Sequence, residues 1–308
     1  MTGSVGLSPR SAFAAPSDCT KAKFIGIRGS GEAFTASDYG MGSLVSAGYE
    51  SFKGSVEGSG IPVEPEGLKY PAVPIERVIT DAADYPHNVT AVYISVRAGS
   101  EVLKRLVEET DPSTCLVVAG YSQGAWVITH FFSEYSSLSP RFTALLLMGD
   151  PAFHYDSDAV KGSAENALGI LRHSSMPLGL VPGESYFEGH GDRVLSYCFP
   201  ADPICDFKGL THSDTLSCLS ATGIALTPWC PHLGYGASGY LGAGINFLVE
   251  RMKDGHGIPI VPFSTELNER NIDLRRWCTS VGGGNEKHPP AVDAWRRRRL
   301  EVRRRTSD

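Results

Sequence analysis

The residues with the clearest chemical meaning form a serine motif, Gly120-Tyr121-Ser122-Gln123-Gly124. The motif follows a continuous apolar run, Cys115–Ala119, and precedes a stretch with helical character, 122–136. G-x-S-x-G between a strand and a helix forms a sharp turn that projects the serine hydroxyl above a sheet. The following helix N-terminus favours the negative charge that develops during acyl transfer. The pattern therefore predicts Ser122 as a nucleophile, the alternative being a tight turn with an inert serine.

A serine nucleophile needs a histidine as base and a carboxylate that orients the histidine. In α/β hydrolases the three residues follow one another along the chain as serine, acid and histidine. Of the nine histidines, this order and their positions leave two candidates for the base, His212 and His232. His232 lies in a turn that leads into a segment with helical character. For His232, the alternative is a surface histidine that caps a helix.

Two aspartates lie just beyond the last predicted strand and are candidates for the acid, Asp202 and Asp206. Asp202 falls between Cys198 and Cys205, so a disulfide there would fix its loop and its carboxylate. Asp206 lies outside that bracket and is expected to be dispensable. The alternative for Asp202 is an ordinary solvated turn residue.

Alternating strands and helices must position these side chains. Short, continuous apolar runs are typical of parallel strands that are buried on both faces, and their alternation with helices predicts an α/β fold with a mostly parallel central sheet flanked by helices. The predicted strands are Lys23–Arg28, Val63–Tyr70, Cys115–Ala119, Thr143–Met148 and Arg193–Cys198, and the predicted helices are 41–54, 91–109, 122–136 and 233–252. In the helix 91–109, Val92, Ile94, Leu103 and Val107 are expected to share a face.

Composition sets the class of protein. The chain has 308 residues, of which 42% are hydrophobic and 20% charged, which is typical of a globular protein and argues against a disordered one. No apolar run approaches the roughly 18 residues that a membrane helix needs, so no transmembrane segment is predicted. We predict a single α/β domain over 19–255, a leader over 1–18 and a flexible C-terminal appendage over 256–308.

The charge is unevenly distributed along the chain. Residues 295–308 hold seven arginines against Glu301 and Asp308, a net charge of +5. Because the whole chain carries −6, residues 1–294 carry −11. An acidic main domain repels phosphate backbones, which argues against nucleic-acid binding by this domain. The arginine run predicts a solvated tail, with contact to nucleic acid or anionic lipid as the alternative.

The cysteines and the N-terminus together predict export. Seven cysteines occur without a CxxC pair or zinc-like spacing, and several lie beside segment ends, where disulfides staple loops. Ser11–Pro16 resembles a small-residue cleavage site and follows Arg10, but the preceding stretch lacks an apolar core. We interpret 1–18 as an incomplete signal segment, with a flexible leader as the alternative, and expect a secreted protein.

Four ordered motifs resemble those of the cutinase family of serine esterases. They are R-G-S-x-E at 28–32, G-Y-S-Q-G at 120–124, C-x-x-x-D-x-x-C at 198–205 and P-H-L-x-Y-G at 231–236. The resemblance runs from about Cys19 to Met252. It implies a small α/β hydrolase without a large lid.

The resemblance also implies roles for individual residues. Ser122 matches the nucleophile, Asp202 the acid and His232 the base, while Ser30 and Gln123 match the oxyanion hole. The family's two disulfides would map to Cys19–Cys115 and Cys198–Cys205. Three further cysteines are Cys218, Cys230 and Cys278, and we expect Cys218 to pair with Cys230.

The implied function is hydrolysis of hydrophobic lipid or polyester esters by a serine carboxylic ester hydrolase that needs no metal or organic cofactor. Two apolar stretches, Met176–Val181 and Ile224–Trp229, are candidate walls of an acyl pocket, with ordinary core packing as the alternative. The competing functions are an esterase for acetylated polysaccharide or a cell-envelope lipid ester with the same triad, and a non-catalytic binding module. The intact serine, aspartate and histidine set argues against the last of these.

Overall fold

The computed structural model describes residues 19–74, 90–157, 159, 166–172, 186–187, 189–207, 231–236 and 239–254. The predicted leader, 1–18, and the predicted appendage, 256–308, lie outside these residues, so the predicted domain boundaries stay predictions. The strands are β1 (Lys21–Ile27), β2 (Val63–Gly67), β3 (Thr114–Tyr121), β4 (Phe142–Met148) and β5 (Val194–Tyr197). The longer helices are α1 (Ser43–Glu57), α2 (Thr90–Glu109), α3 (Gln123–Glu134) and α4 (Tyr240–Asp254).

The strands form one parallel sheet in the order β2-β1-β3-β4-β5. The register pairs Ile27 with Gly120, Tyr121 with Met148, and Met148 with Tyr197. The carboxyl ends of β1, β3, β4 and β5 therefore meet at one edge of the sheet, which is where parallel α/β sheets carry their sites.

Both faces of the sheet are buried, which explains the continuous apolar strands. On β1, Phe24 packs in a core with α1 and α4, whereas Ile25 packs in a second core with α2 and α3. On β3, Val117 and Val118 divide between the two cores in the same way. The predicted parallel α/β fold with helices on both faces is confirmed.

Two disulfides reinforce this framework. Cys19, just before β1, bonds to Cys115 in β3, and Cys198, just after β5, bonds to Cys205. Both pairings implied by the resemblance are thus present. The expected Cys218–Cys230 pair and Cys278 lie outside the described residues.

Three details of the predicted elements were wrong. The last helix begins at Tyr240 rather than at 233, because residues 231–233 form a separate 3-10 turn. The second strand ends at Gly67 rather than at Tyr70. At Gly67 the chain lies so close to Tyr39 O that a Cβ on this residue would be 2.0 Å from that oxygen. In α2, Ile94 is exposed while Leu103 is buried, since nine residues of helix turn a side chain to the opposite face.

Among the described helices, none is long and apolar enough to cross a bilayer.

Candidate active site

Ser122 occupies a strained turn between β3 and α3. Its φ is 53° and its ψ −118°, a conformation that non-glycine residues rarely adopt, and its N–H donates to Met148 O at 2.8 Å. A Cβ on Gly124 would lie 2.1 Å from Ile27 O, and one on Gly120 would lie 2.6 Å from Gly124 O. The two glycines of the motif therefore let α3 approach the sheet closely enough to form the turn.

The backbone N–H of Gln123 is the first donor that α3 offers. The first N–H groups of a helix have no acceptor within the helix, so this one can bind an anion beside Ser122. Gln123, a predicted oxyanion-hole residue, therefore lies at the N-terminal end of the helix that follows Ser122.

The side chain of Gln123 joins three segments that are distant in sequence. Its Oε1 accepts the Ser30 hydroxyl at 2.8 Å and the Val73 N–H at 3.1 Å. Its Nε2 donates to Ser95 Oγ at 2.7 Å, and Ser95 Oγ donates in turn to Pro71 O at 2.5 Å. The amide orientation is therefore fixed, and the structure brings Ser30 and Gln123 together.

Arg28 and Glu32 secure the loop that carries Ser30. The buried Arg28 guanidinium donates to Leu68 O at 3.1 Å and Tyr70 O at 2.5 Å, and its Nε donates to Glu32 O at 2.9 Å. Arg28 therefore binds backbone carbonyls just beyond the end of β2, in the stretch that the sequence predicts as strand.

The Glu32 carboxylate closes the same loop from the other side. It accepts the Gly29 N–H at 2.7 Å and the Ser43 N–H, at the start of α1, at 3.0 Å. Burial raises the pKa of Glu32, and the two backbone donors partly oppose that shift. The R-G-S-x-E motif therefore serves to hold Ser30 in place.

Asp202 lies in the loop that the Cys198–Cys205 disulfide closes, and it is fully buried, with 0% of its surface exposed. Its Oδ1 accepts the Ile204 N–H at 2.8 Å, and its backbone carbonyl accepts the Asp206 N–H at 2.7 Å. Asp202 is therefore not an ordinary solvated turn residue.

Asp206, the other candidate acid, is also buried and has a different place in the loop. Its Oδ2 accepts the Ala201 N–H at 2.9 Å, and Ala201 has a φ of 63°. Asp206 thus supports the strained backbone next to Asp202.

His232 meets Asp202 from the 3-10 turn Pro231–Leu233. Its Nδ1 lies 2.8 Å from Asp202 Oδ2 and 3.0 Å from Oδ1. Since a carboxylate only accepts hydrogen bonds, Nδ1 carries the hydrogen, and Nε2 of the neutral ring is free to accept a proton. The geometry favours His232 for the base, while His212 lies outside the described residues.

Tyr121 contacts the His232 imidazole from the residue next to Ser122. Its ring stacks on that of His232 with centroids 5.0 Å apart and an interplanar angle of 24°, and its hydroxyl donates to His232 O at 2.7 Å. Gly149 also lies close to the imidazole, since a Cβ on it would be only 2.8 Å from His232 Cε1. Tyr121 precedes Ser122, and Gly149 follows Met148, whose carbonyl accepts the Ser122 N–H, so the His232 imidazole lies next to the serine turn.

The structure does not join the serine to the base directly. Within the described part of the chain, Ser122 Oγ makes no hydrogen bond. Catalytic hydrogen bonds are often long without substrate and tighten in the complex, so this geometry remains compatible with a triad.

Sequence reasoning assigned no role to Tyr121, Tyr235 or Ser95. Both tyrosines lie within the sequence motifs described above. Tyr121 directly precedes Ser122, and Tyr235 follows His232 by three residues, and these positions were the signal available in the sequence. The candidate acyl-pocket walls, Met176–Val181 and Ile224–Trp229, lie outside the described residues.

Several solved structures are similar to this chain. An acetylxylan esterase structure is 19% identical, with a TM-score of 0.49 over 76% of this chain and 100% of that one. A cutinase-like protein from Cryptococcus sp. is 18% identical, with a TM-score of 0.49 over 78% of this chain and 98% of that one. A Trichoderma reesei cutinase in complex with a phosphonate inhibitor is 18% identical, with a TM-score of 0.41 over 78% and 80%. No curated protein matches the sequence.

The family comparison covers most of the chain. The cutinase family model matches residues 18–252, a range that contains all four motifs and the whole described sheet. The chain belongs to the cutinase family.

Proposed function

We propose that the protein is a secreted serine carboxylesterase that hydrolyses hydrophobic esters through an acyl-enzyme. The observation that carries the proposal is the buried Asp202 carboxylate hydrogen-bonded to His232 Nδ1, beside a serine at positive φ. Membership of the cutinase family supports ester hydrolysis in general. The individual roles below rest on the geometry.

The first half-reaction transfers the acyl group to the enzyme. His232 Nε2 takes the proton of Ser122 Oγ while this oxygen attacks the ester carbonyl carbon. Asp202 holds the imidazole with its hydrogen on Nδ1 and stabilises the imidazolium that forms. The imidazolium then gives its proton to the departing alkoxy oxygen, so an alcohol leaves and Ser122 carries the acyl group.

Backbone donors stabilise the tetrahedral oxyanion. The N–H of Gln123, at the start of α3, and the N–H of Ser30 are assigned to this role. One such donor is worth about 2.7–4 kcal/mol of the activation barrier. The hydroxyl of Ser30 already donates to Gln123 Oε1, so it fixes the position of the loop.

The second half-reaction releases the acid. Water gives a proton to His232 Nε2 and attacks the acyl carbon, and the returning proton restores Ser122. The cycle consumes one ester and one water and yields one alcohol and one carboxylic acid. The proposed chemistry requires no metal or organic cofactor.

Two exposed apolar side chains lie close in sequence to site residues, and they support a hydrophobic substrate. Leu233, directly after the base, is 45% exposed, and Phe34, four residues after Ser30, is 46% exposed. Exposed apolar side chains near a site favour an acyl chain or polyester over a hydrated sugar. The two disulfides support the proposed export.

An acyl-chain series tests the substrate class. Hydrolysis of p-nitrophenyl esters from acetate to palmitate should show higher kcat/KM for medium and long chains than for acetate. Hydrolysis restricted to acetyl esters, together with deacetylation of acetylated xylan, would favour the alternative polysaccharide esterase. A protein that hydrolyses no ester would be a binding module.

A matched pair of serine variants tests the reaction class in the same assay. Ser122→Ala should abolish turnover and leave the fold intact. Ser55→Ala is the control, since Ser55 is exposed in α1 and donates only to Ser51 O. Comparable turnover in Ser122→Ala would contradict the proposal.

A further inference from the structure

The phenol of Tyr235 lies inside the loop that carries the acid. Its hydroxyl donates to Asp202 Oδ2 at 2.7 Å and accepts the Phe199 N–H at 3.1 Å. The Cys205 Sγ lies 3.4 Å from the same oxygen. The side chain is fully buried, so these loop groups replace water around the phenol.

Tyr235 makes a second connection between the base and the acid. It follows His232 by three residues, across a turn closed by Gly234 N–H donating to Pro231 O at 2.9 Å. The segment that carries the base is therefore joined to the acid loop through two contacts with Asp202, one from the imidazole and one from the phenol. The phenol limits rotation of the carboxylate about its last bond.

The two contacts share one carboxylate oxygen. Asp202 Oδ2 accepts His232 Nδ1–H at 2.8 Å and the Tyr235 hydroxyl at 2.7 Å. A carboxylate whose charge is divided between two donors attracts the imidazole proton less strongly than one with a single donor. Removing the phenol hydroxyl should therefore increase the attraction of the Asp202 carboxylate for the imidazole proton.

Few other titratable groups face this pair in the described structure. Tyr121 stacks on the imidazole from β3, Asp206 lies on the acid loop, and Glu32 acts through its charge on Tyr121. Burial, followed by the charge of Asp202, raises the pKa of Tyr235 well above its usual range. The phenol therefore remains a hydrogen-bond donor throughout the working pH range.

We propose that Tyr235 is a positioning residue of the triad, which holds the Asp202 carboxylate against His232 and moderates its attraction for the imidazole proton. The catalytic consequence rests on the proposed esterase function. The predicted change in imidazole protonation does not rest on that function, because it concerns only the proton shared between His232 and Asp202.

The test compares Tyr235→Phe with Tyr240→Phe. Tyr240 belongs to the same aromatic cluster, with its ring 6.1 Å from that of Tyr235 and 5.3 Å from Phe199, and its hydroxyl makes no hydrogen bond within the described residues. Both variants remove one hydroxyl and keep the ring. Thermal melting of each variant confirms that it is folded.

In the kinetic arm, kcat and KM are measured against pH with one p-nitrophenyl ester. Tyr235→Phe should lower kcat about tenfold with little change in KM. It should also move the acidic limb of the kcat/KM profile up by about half a pH unit or more. Tyr240→Phe should change neither quantity. A lower kcat with an unmoved acidic limb would mean a merely structural role and would overturn the proposal, as would an unchanged profile.

In the second arm, NMR follows the His232 imidazole in the protein without substrate, with the resonance assigned by its loss in His232→Ala. Its titration midpoint should rise in Tyr235→Phe and stay constant in Tyr240→Phe. An unmoved midpoint in both would overturn the inference. If the wild-type protein hydrolysed no ester, the proposed function would fail while this arm still decided the role of Tyr235.

Discussion

Replacing Asp202 by asparagine removes a buried charge and keeps the size of the side chain. Both carboxylate oxygens of Asp202 lie within 3.0 Å of His232 Nδ1, and the group is fully buried. Asparagine retains one acceptor oxygen and gains an NH₂ donor in place of the other. The effect on the base depends on which position the NH₂ group takes.

The surrounding donors decide the orientation of the new amide. At the Oδ1 position the Ile204 N–H donates at 2.8 Å, so the remaining oxygen is favoured there. The NH₂ group then occupies the Oδ2 position, where it faces Tyr235 and His232 Nδ1, both of which act as donors in the wild type. To accept from the amide, Nδ1 must lose its hydrogen, which places it on Nε2. A protonated Nε2 cannot take the proton of Ser122.

The predicted loss follows from this wrong tautomer. Making a triad aspartate neutral costs about 10⁴-fold in kcat, which corresponds to about 5.4 kcal/mol of activation free energy. The assay is steady-state hydrolysis of a p-nitrophenyl ester at the pH optimum, with the melting temperature of each variant as a check on folding.

Asp206→Asn is the matched control. It keeps an acceptor oxygen for the Ala201 N–H, so we expect it to retain most of the activity, with some loss of stability because the site is buried. Less than a tenfold loss in Asp202→Asn, or a larger loss in Asp206→Asn, would contradict the assignment of Asp202 as the acid.

Three further predictions concern the surroundings of the triad. Gly149→Ala should lower kcat, because its Cβ would lie 2.8 Å from His232 Cε1; Gly239→Ala, also at positive φ but with open space around it, controls for backbone strain. Equal kcat values in these two variants would count against the assignment of the base. Cys198→Ser should lower both activity and melting temperature, because the disulfide closes the acid loop, and full activity after mild reduction of the wild type would contradict this. Burial raises the pKa of Asp150 from 3.8 to about 6, so the wild type should gain up to about 3 kcal/mol of unfolding free energy as the pH falls through that range. Asp150→Asn should lack this gain in urea unfolding, and an identical pH dependence of both proteins would disprove it.

The sheet could be predicted because each inner strand is a continuous apolar run. Both faces of β3 and β4 pack against helices, and this burial leaves a direct signature in the sequence. The position of the serine turn followed from the same runs.

The start of α4 could not be predicted from apolar spacing. Leu233 and Tyr235 are apolar residues before the helix, but Leu233 is exposed and Tyr235 enters the acid loop. Apolar periodicity therefore extended the predicted helix into a turn that serves the site.

The connections of Gln123 were also hidden from the sequence. Its amide binds Ser30, Val73 and Ser95, which lie 93, 50 and 28 residues away. Such contacts depend on the folded arrangement of three segments, and no local pattern encodes them. The motif placed Gln123 beside Ser122, while its side-chain role emerged only from the structure.

Labelling the protein with a fluorophosphonate and mapping the modified peptide tests directly whether Ser122 is the nucleophile. A fluorophosphonate reacts with a serine that a neighbouring base activates. We predict one adduct per chain, located on Ser122, and no adduct in a folded Ser122→Ala variant. An adduct on another residue, or labelling of Ser122→Ala at the wild-type rate, would show that Ser122 is not the nucleophile.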